Sequence, residues 1–349
     1  MATQTVEGVD TAQGTNLERM GVVNRVLAWV DQLPGPAVAW YALLGVVLSV
    51  AGHLAVWASA AYQVGTFSSD VMLVPFMFAW FLWLLHTLNR VAADTFDEFR
   101  SALGDPDSES DYLRQLTGIR DRDALAAGIV AVLIVTTVFF LFVRPTRVPL
   151  PFEIERITAP LWGATGFVCG IVVLHTIKQL RLVSKLSAVA RNVDIFKPGP
   201  INAFSRLTAV SALGLIAFLV AFMISNPDQP IPFVVQEIAL LAVAVASFVL
   251  PLRVMHARLV VEKRRLLGDA QERLKAVLGR VHAAIDANDL AVSEALRNAL
   301  ESVRSEIDVL DHLRTWPWST STIRGFVTAL LLPIGLIVFS QVVSRFLGA

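Results

Sequence analysis

The chain has 349 residues, 55% of them hydrophobic and 17% charged, where water-soluble domains carry about 25% charged residues. Lys+Arg and Asp+Glu both total 29, so the formal net charge is zero and no global basic field points to nucleic acid as a partner. A single cysteine, Cys169, sits in an apolar run; it excludes an internal disulfide and any multi-cysteine metal site, and its ordinary role is that of a small buried apolar residue.

Residues 1–18 include Glu7, Asp10 and Glu18 and lack an apolar core followed by a small-residue cleavage site. They read as a disordered N-terminus, not a cleavable signal peptide. Residues 19–33 place Val22, Val23, Val26, Leu27, Val30 and Leu33 on one side, the pattern of an amphipathic helix lying along the inner membrane surface.

A helix crossing about 30 Å of hydrocarbon needs roughly 20 residues free of charge, because each charge near the centre costs several kcal/mol. Charge-free windows at Pro36–Tyr62, Val71–Asn89, Ala124–Val143, Ile157–Ile177, Leu207–Pro227 and Gly325–Ser344 predict six spans. Another window, Ile231–Leu252, contains Glu237, and the distribution of Lys and Arg decides whether it crosses. If it does, the chain has seven spans and begins in the cytoplasm. Of the 29 basic residues, Arg144, Arg147, Arg156 and Arg345 then lie outside and the other 25 inside, as retention of basic residues on the side of synthesis requires. Glu237 falls near the outer boundary, within reach of water.

Several spans are expected to continue into the cytoplasm. Val91, Phe96, Phe99 and Leu103 recur at helical spacing after the second span, and Ile177, Leu180, Val183, Leu186 and Val189 repeat at intervals of three after the fourth. Pro198-Gly199-Pro200 is expected to break the chain before the fifth. In residues 254–313, Leu267, Ala270, Leu274, Val277, Val281 and Ile285 form one apolar seam, and Leu296, Leu300, Val303, Ile307 and Leu310 form another. Both have coiled-coil spacing, with Asp286-Ala287-Asn288-Asp289 as turn between them, so an antiparallel hairpin is predicted. Trp316-Pro317-Trp318 reads as an interfacial anchor around a helix breaker, with Ser319 or Ser321 capping the last span.

The fold class is therefore all-α: a polytopic membrane protein of seven transmembrane helices, several extended into a cytoplasmic bundle, with a helical hairpin before the last span. Its parts are the N-terminus (1–18), the interfacial helix (19–33), the first six spans with their extensions (36–253), the coiled-coil hairpin (254–313) and the seventh span (319–346).

Chemistry-bearing residues are sparse. Six histidines show no i, i+4 pair and no HExxH, so no metal site, cofactor or catalytic set is expected. His53, inside the first span, is either a functional ionisable group or a neutral imidazole bonded to a neighbouring helix. His86 and His175 lie at inner span ends, where solvent or headgroups suffice. Glu237 beside Gln236 offers an outer cation site or a simply solvated carboxylate. In the seventh span Thr328, Ser340, Gln341 and Ser344 make a polar strip that lines a water path or glues helices together. Gly166 and Gly170 fit close helix packing. The basic strip from Lys178 to Arg191 meets anionic lipid or water. There is no phosphate loop, no nucleophile elbow and no pair of catalytic carboxylates on one helix face, so the chain does not read as an enzyme.

At Thr176–Val183 (TIKQLRLV), Phe204–Ala209 (FSRLTA) and Thr315–Trp318 (TWPW) the chain resembles a family of bacterial multi-pass membrane proteins without assigned activity. That resemblance implies the topology and a plasma (inner) membrane location, and no chemistry. In architecture it is similar to the insect odorant and gustatory receptor channels, which implies a cation pore lined by the seventh span in a tetramer. It departs from them in lacking the TYhhhhhQF pattern, with Ser340-Gln341-Val342 in the comparable place. Two readings follow: a channel-like or ligand-responsive homo-oligomer with Thr328, Ser340, Gln341 and Ser344 lining a pore, or a non-catalytic scaffold that recruits a cytoplasmic partner through 254–313. Membrane lipid is a partner in both.

Overall fold

The computed structural model describes residues 21–103, 109–143, 152–190, 195–196, 198–225, 231–287 and 290–347. These residues form eleven α-helices and no strand: α1 (Val22–Asp31), α2 (Ala37–Ala58), α3 (Ser69–Leu103), α4 (Glu109–Thr117), α5 (Asp121–Val138), α6 (Phe152–Val189), α7 (Pro198–Ser225), α8 (Ile231–Val249), α9 (Arg253–Asp286), α10 (Leu290–His312) and α11 (Thr320–Leu347). Six helical segments are long and apolar enough to cross a membrane by length and composition: Ala37–Ala58, Val71–Ser101, Glu109–Leu141, Ile154–Val189, Asn202–Ile224 and Glu237–Asp286. The described apolar stretch of α11, Thr320–Leu336, is shorter. The expected N-terminal segment 1–18 and the turn residues Asn288 and Asp289 lie outside the described residues.

The centre of the bundle is α3. It packs against α2, α6 and α7, while α5 lies on α6, and α8 and α11 lie on α7. The reason is written on one face of α3: Leu84, Leu85, Leu88, Ala92, Phe96 and Phe99 follow helical spacing, and none is more than 1% exposed. Beyond the charge-free window this face continues into a shared core, where Phe99 meets Phe204 of α7 with ring centroids 4.7 Å apart and Leu116 of α4 closes the side. Helix α4 is not foreshadowed by the charge windows. It is a nine-residue helix whose buried Leu116 wedges it against α6.

Three expectations are corrected. The period of three in α6 does not hold as a buried face: Ile177 and Val189 are 42% and 51% exposed. Three residues advance about 300°, so such a row slips about 60° per step. The buried face instead runs Val172, Thr176, Gln179, Val183, Leu186 and Ala190, at alternating steps of four and three. Pro198-Gly199-Pro200 does not break the chain ahead of the fifth apolar window; these residues form the first turn of α7, where a missing proline N–H costs no hydrogen bond. Helix α2 ends at Ala58, short of Tyr62, and the chain turns through Ala60 and Gly65 with φ of 57° and 90°, the left-handed backbone that glycine adopts without steric cost.

Helix α5 meets α6 closely. A Cβ added at Gly170 would lie 2.5 Å from the Ala127 carbonyl oxygen and from Ala131 Cβ, whereas one at Gly166 would make ordinary contacts near 3.7 Å. Gly128 of α5 in turn receives the ring of Phe167. The outward faces of α2 (Val46, Val47, Val50, Leu54) and α5 (Val130, Leu133, Ile134) are apolar and exposed, as surfaces facing lipid are.

Helix α8 passes through a 3₁₀ turn at Leu250–Leu252 into α9, which runs back along α10. Arg273 Nη1 donates to Glu306 Oε1 at 2.8 Å across the pair. Of the two seams, Ala270 and Leu310 are buried, and Leu267, Leu274, Val277, Val281, Leu296, Leu300, Val303 and Ile307 are half-buried. Ile285, expected in the first seam, is 63% exposed; it is the last apolar position before the turn, where the partner helix no longer covers it.

Candidate functional site

The described polar side chains converge in a layer where the first, second and fourth apolar windows end. His86 and Asn89 of α3 are three apart and His175 and Gln179 of α6 four apart, so each pair shares a face. His86 Nδ1 accepts from the Tyr41 hydroxyl at 3.1 Å, and its Nε2–H donates to Asp31 Oδ1 at 3.0 Å; Arg90 Nε stands 3.7 Å from the same oxygen. This assignment follows from the carboxylate, which can only accept. Across the interface, His175 Nε2 donates to Asn89 Oδ1 at 2.6 Å, and Gln179 Nε2 donates to the Leu116 carbonyl at 3.0 Å. His86 and His175 are each 2% exposed and Gln179 is fully buried. The expectation that solvent or headgroups satisfy the two histidines is therefore corrected: protein groups do so, on faces turned inward. Chemically the layer fixes registry, because each buried polar group leaves its partner costly to move.

A second constellation ties the base of the hairpin to the last helices. Five rings stack in sequence: His256 on Trp316 (centroids 3.8 Å apart, 6° between planes), Trp316 on Trp318 (4.5 Å, 4°), Trp318 on Phe248 (4.9 Å, 6°), and Phe248 on Phe326 (4.0 Å, 13°). His256 Nδ1–H is held by the Thr315 carbonyl at 3.0 Å, and Lys263 Nζ donates to the Leu313 carbonyl at 3.2 Å. The stack thus joins α9, the 313–319 connection, α8 and α11. Trp316 and Trp318, expected as an interfacial anchor, spend their faces on this stack, with Pro317 buried between them and Trp316 37% exposed. Ser319 caps α11 through the Thr322 N–H at 3.1 Å.

The other sequence-singled residues are not brought together. His53 is buried, its Nδ1–H donating to the Ser49 carbonyl at 2.8 Å and its Nε2 accepting from Ser68 N–H at 3.2 Å. The imidazole is bonded within its own helix and to the backbone just ahead of α3. Glu237, expected within reach of water, is 4% exposed, because α8 turns that face into the protein. Thr328 is exposed on α11 among Val327, Leu331 and Leu332. Ser340, Gln341 and Ser344 lie on the same helix, with side chains outside the described residues. Cys169 is half-buried. Among the described residues no three His, Cys, Asp or Glu side chains are grouped so as to hold a metal ion.

No protein-family model matches this chain, and neither curated proteins nor solved structures give a match. The residues missed from sequence are Asp31, Tyr41, Asn89, Gln179, Phe248 and His256. For Asn89 and Gln179 a signal existed, since each stands one turn from a histidine at a span end.

Proposed function

We propose that the chain is an integral membrane protein of seven spans, α11 supplying the last, with its N-terminus in the cytoplasm. It acts as a non-catalytic scaffold that recruits a cytoplasmic protein through the α9–α10 hairpin. The observation that carries this reading is the state of the hairpin seam. Helix α10 packs on α9 and on no other described helix to a comparable extent, and most seam residues remain half-buried. A helix from a partner, laid along the open side of the pair, would cover the apolar surface that the two helices leave half-exposed. Photo-crosslinkers at Val277 and Val303 in intact membranes, compared with a chain shortened symmetrically across residues 274–303, test it. A defined cytoplasmic adduct that disappears on shortening is expected. An unchanged partner set ends the proposal, and adducts with a second copy alone replace recruitment by self-association.

A second reading, a channel lined by α11, draws on the ring stack. Any tilt of the hairpin passes through His256, Trp316, Trp318 and Phe248 to Phe326 of α11. Since α11 lies at the edge of the bundle, packed on α7, a pore would need several copies of it around one axis. Conductance of purified protein in planar bilayers is the test; silence across ions, with unaltered silence in Trp318→Ala, removes the reading.

A further inference from the structure

Helix α1 is apolar around more of its circumference than the protein covers. Leu27 and Val30 are 6% and 7% exposed, and Leu27 turns with Val23 into the main core. Val22, Val26 and Trp29 remain 54%, 48% and 60% exposed. Their spacing of four and three makes a second stripe, centred about 100° around the helix from the first.

The ends of the helix say what level this stripe occupies. At its start, Val22 N–H donates to Asp121 Oδ1 at 2.6 Å, in the first turn of α5. At its last residue, Asp31 pairs with His86 and Arg90 of α3. Asp121 and Arg90 stand where the apolar windows of α5 and α3 close, so α1 is pinned at both ends to the plane in which two spans leave the hydrocarbon. Charge says what meets it there. The nearby carboxylates are engaged: Asp121 by Val22, Asp31 by His86 and Arg90, and Asp123 by Lys178. Arg25, Arg120 and Arg122 are exposed and form no ion pair among the described residues.

We propose that α1 is a docking site for anionic phospholipid: Val22, Val26 and Trp29 enter the acyl region, and Arg25, Arg120 and Arg122 hold headgroup phosphates of the same leaflet. An apolar stripe at the boundary plane, flanked by three exposed guanidinium groups, is complementary to that surface. The site stands apart from the recruiting role of the hairpin.

The test uses the full chain in bilayers of phosphatidylcholine with a minor share of phosphatidylglycerol, of equal composition in both leaflets so that orientation does not enter. Bromine is placed on the acyl chains of one lipid or the other at matched mole fraction. The Trp29 contribution to quenching is taken as the difference between the native chain and Trp29→Phe. It should be quenched several-fold more by brominated phosphatidylglycerol, since one basic contact at an anionic surface is worth about five-fold. Joint Arg25→Gln, Arg120→Gln and Arg122→Gln should equalise the two lipids, and the corresponding lysine variants should keep the preference. The comparison on the native chain decides before any arginine is changed. Equal quenching by both lipids overturns the anionic site. No Trp29-dependent quenching at all shows the stripe covered by protein, such as a second copy, and overturns lipid docking altogether.

Discussion

The two ends of the chain's helical repertoire are built on opposite terms. Around α3, Leu88, Ala92, Phe96 and Phe99 are fully buried, and polar side chains at the same level are bonded to one another across helices. In the α9–α10 hairpin the apolar seam is half-open, and its cross-helix ion pair, Arg273 with Glu306, is solvent-exposed at 62% and 41%. A region whose apolar face is already covered resists change; one with apolar surface left over is available to another molecule. The hairpin should therefore be the part of the structure that gives way first, and the α3 layer the last.

The largest expected effect tests the closed region. Phe99→Ala removes a ring fully buried against Phe204 and should cost about 3–5 kcal/mol, read as a lowered unfolding midpoint in detergent. Leu300→Ala in the hairpin should cost far less, because its side chain already meets solvent. Equal losses would erase the contrast. Next is Gly170→Val. The added atoms meet the Ala127 carbonyl and Ala131, backbone that cannot step aside, so overpacking of about 1–3 kcal/mol should loosen α5 from α6 and raise crosslinking of cysteines placed on α5 to lipid probes. A variant that packs as before would mean α5 is free to slide. Asn89→Ala follows, stranding the buried His175 N–H at a cost of about 1–3 kcal/mol. If Asn89→Ala and His175→Phe combined cost no more than either alone, the pair acts as one unit.

The positions of six long apolar helices were legible because hydration of charge is a local property: Asp123, Arg90 and Arg206 mark boundaries wherever the rest of the chain goes. The two helices of the hairpin were legible for a similar reason, since helical period is local too. What was hidden depends on distant partners. Tyr41 and Asp31 reach His86 across 45 and 55 residues of sequence, and the ring stack joins residues from 248 to 326. Nothing in a window around Trp316 distinguishes a ring that faces headgroups from one that faces His256. The period of three in α6 misled for a different reason: each step looked helical, while their accumulated slip turned Ile177 and Val189 outward.

The smallest expected effect sharpens the contrast from the open side. His312 ends α10, exposed, with Nδ1–H 2.8 Å from the Asp308 carbonyl and 3.5 Å from its carboxylate. Those two groups raise its pKa above the ordinary 6.5, and the helix C-terminus favours the imidazolium as well. A group raised on folding stabilises fully below its unfolded pKa, and the contribution is lost as pH rises through the folded value. Hydrogen exchange in residues 296–310 should therefore be slightly slower, after correction for intrinsic rates, at mildly acidic than at alkaline pH. The difference should shrink with added salt, because the site is open to solvent, and vanish in His312→Gln. Exchange around Phe99 should not follow it. If both regions moved together, the hairpin and the α3 layer would be opening as one cooperative unit, and the seam could not be a surface held ready for a partner while the rest of the protein stays folded.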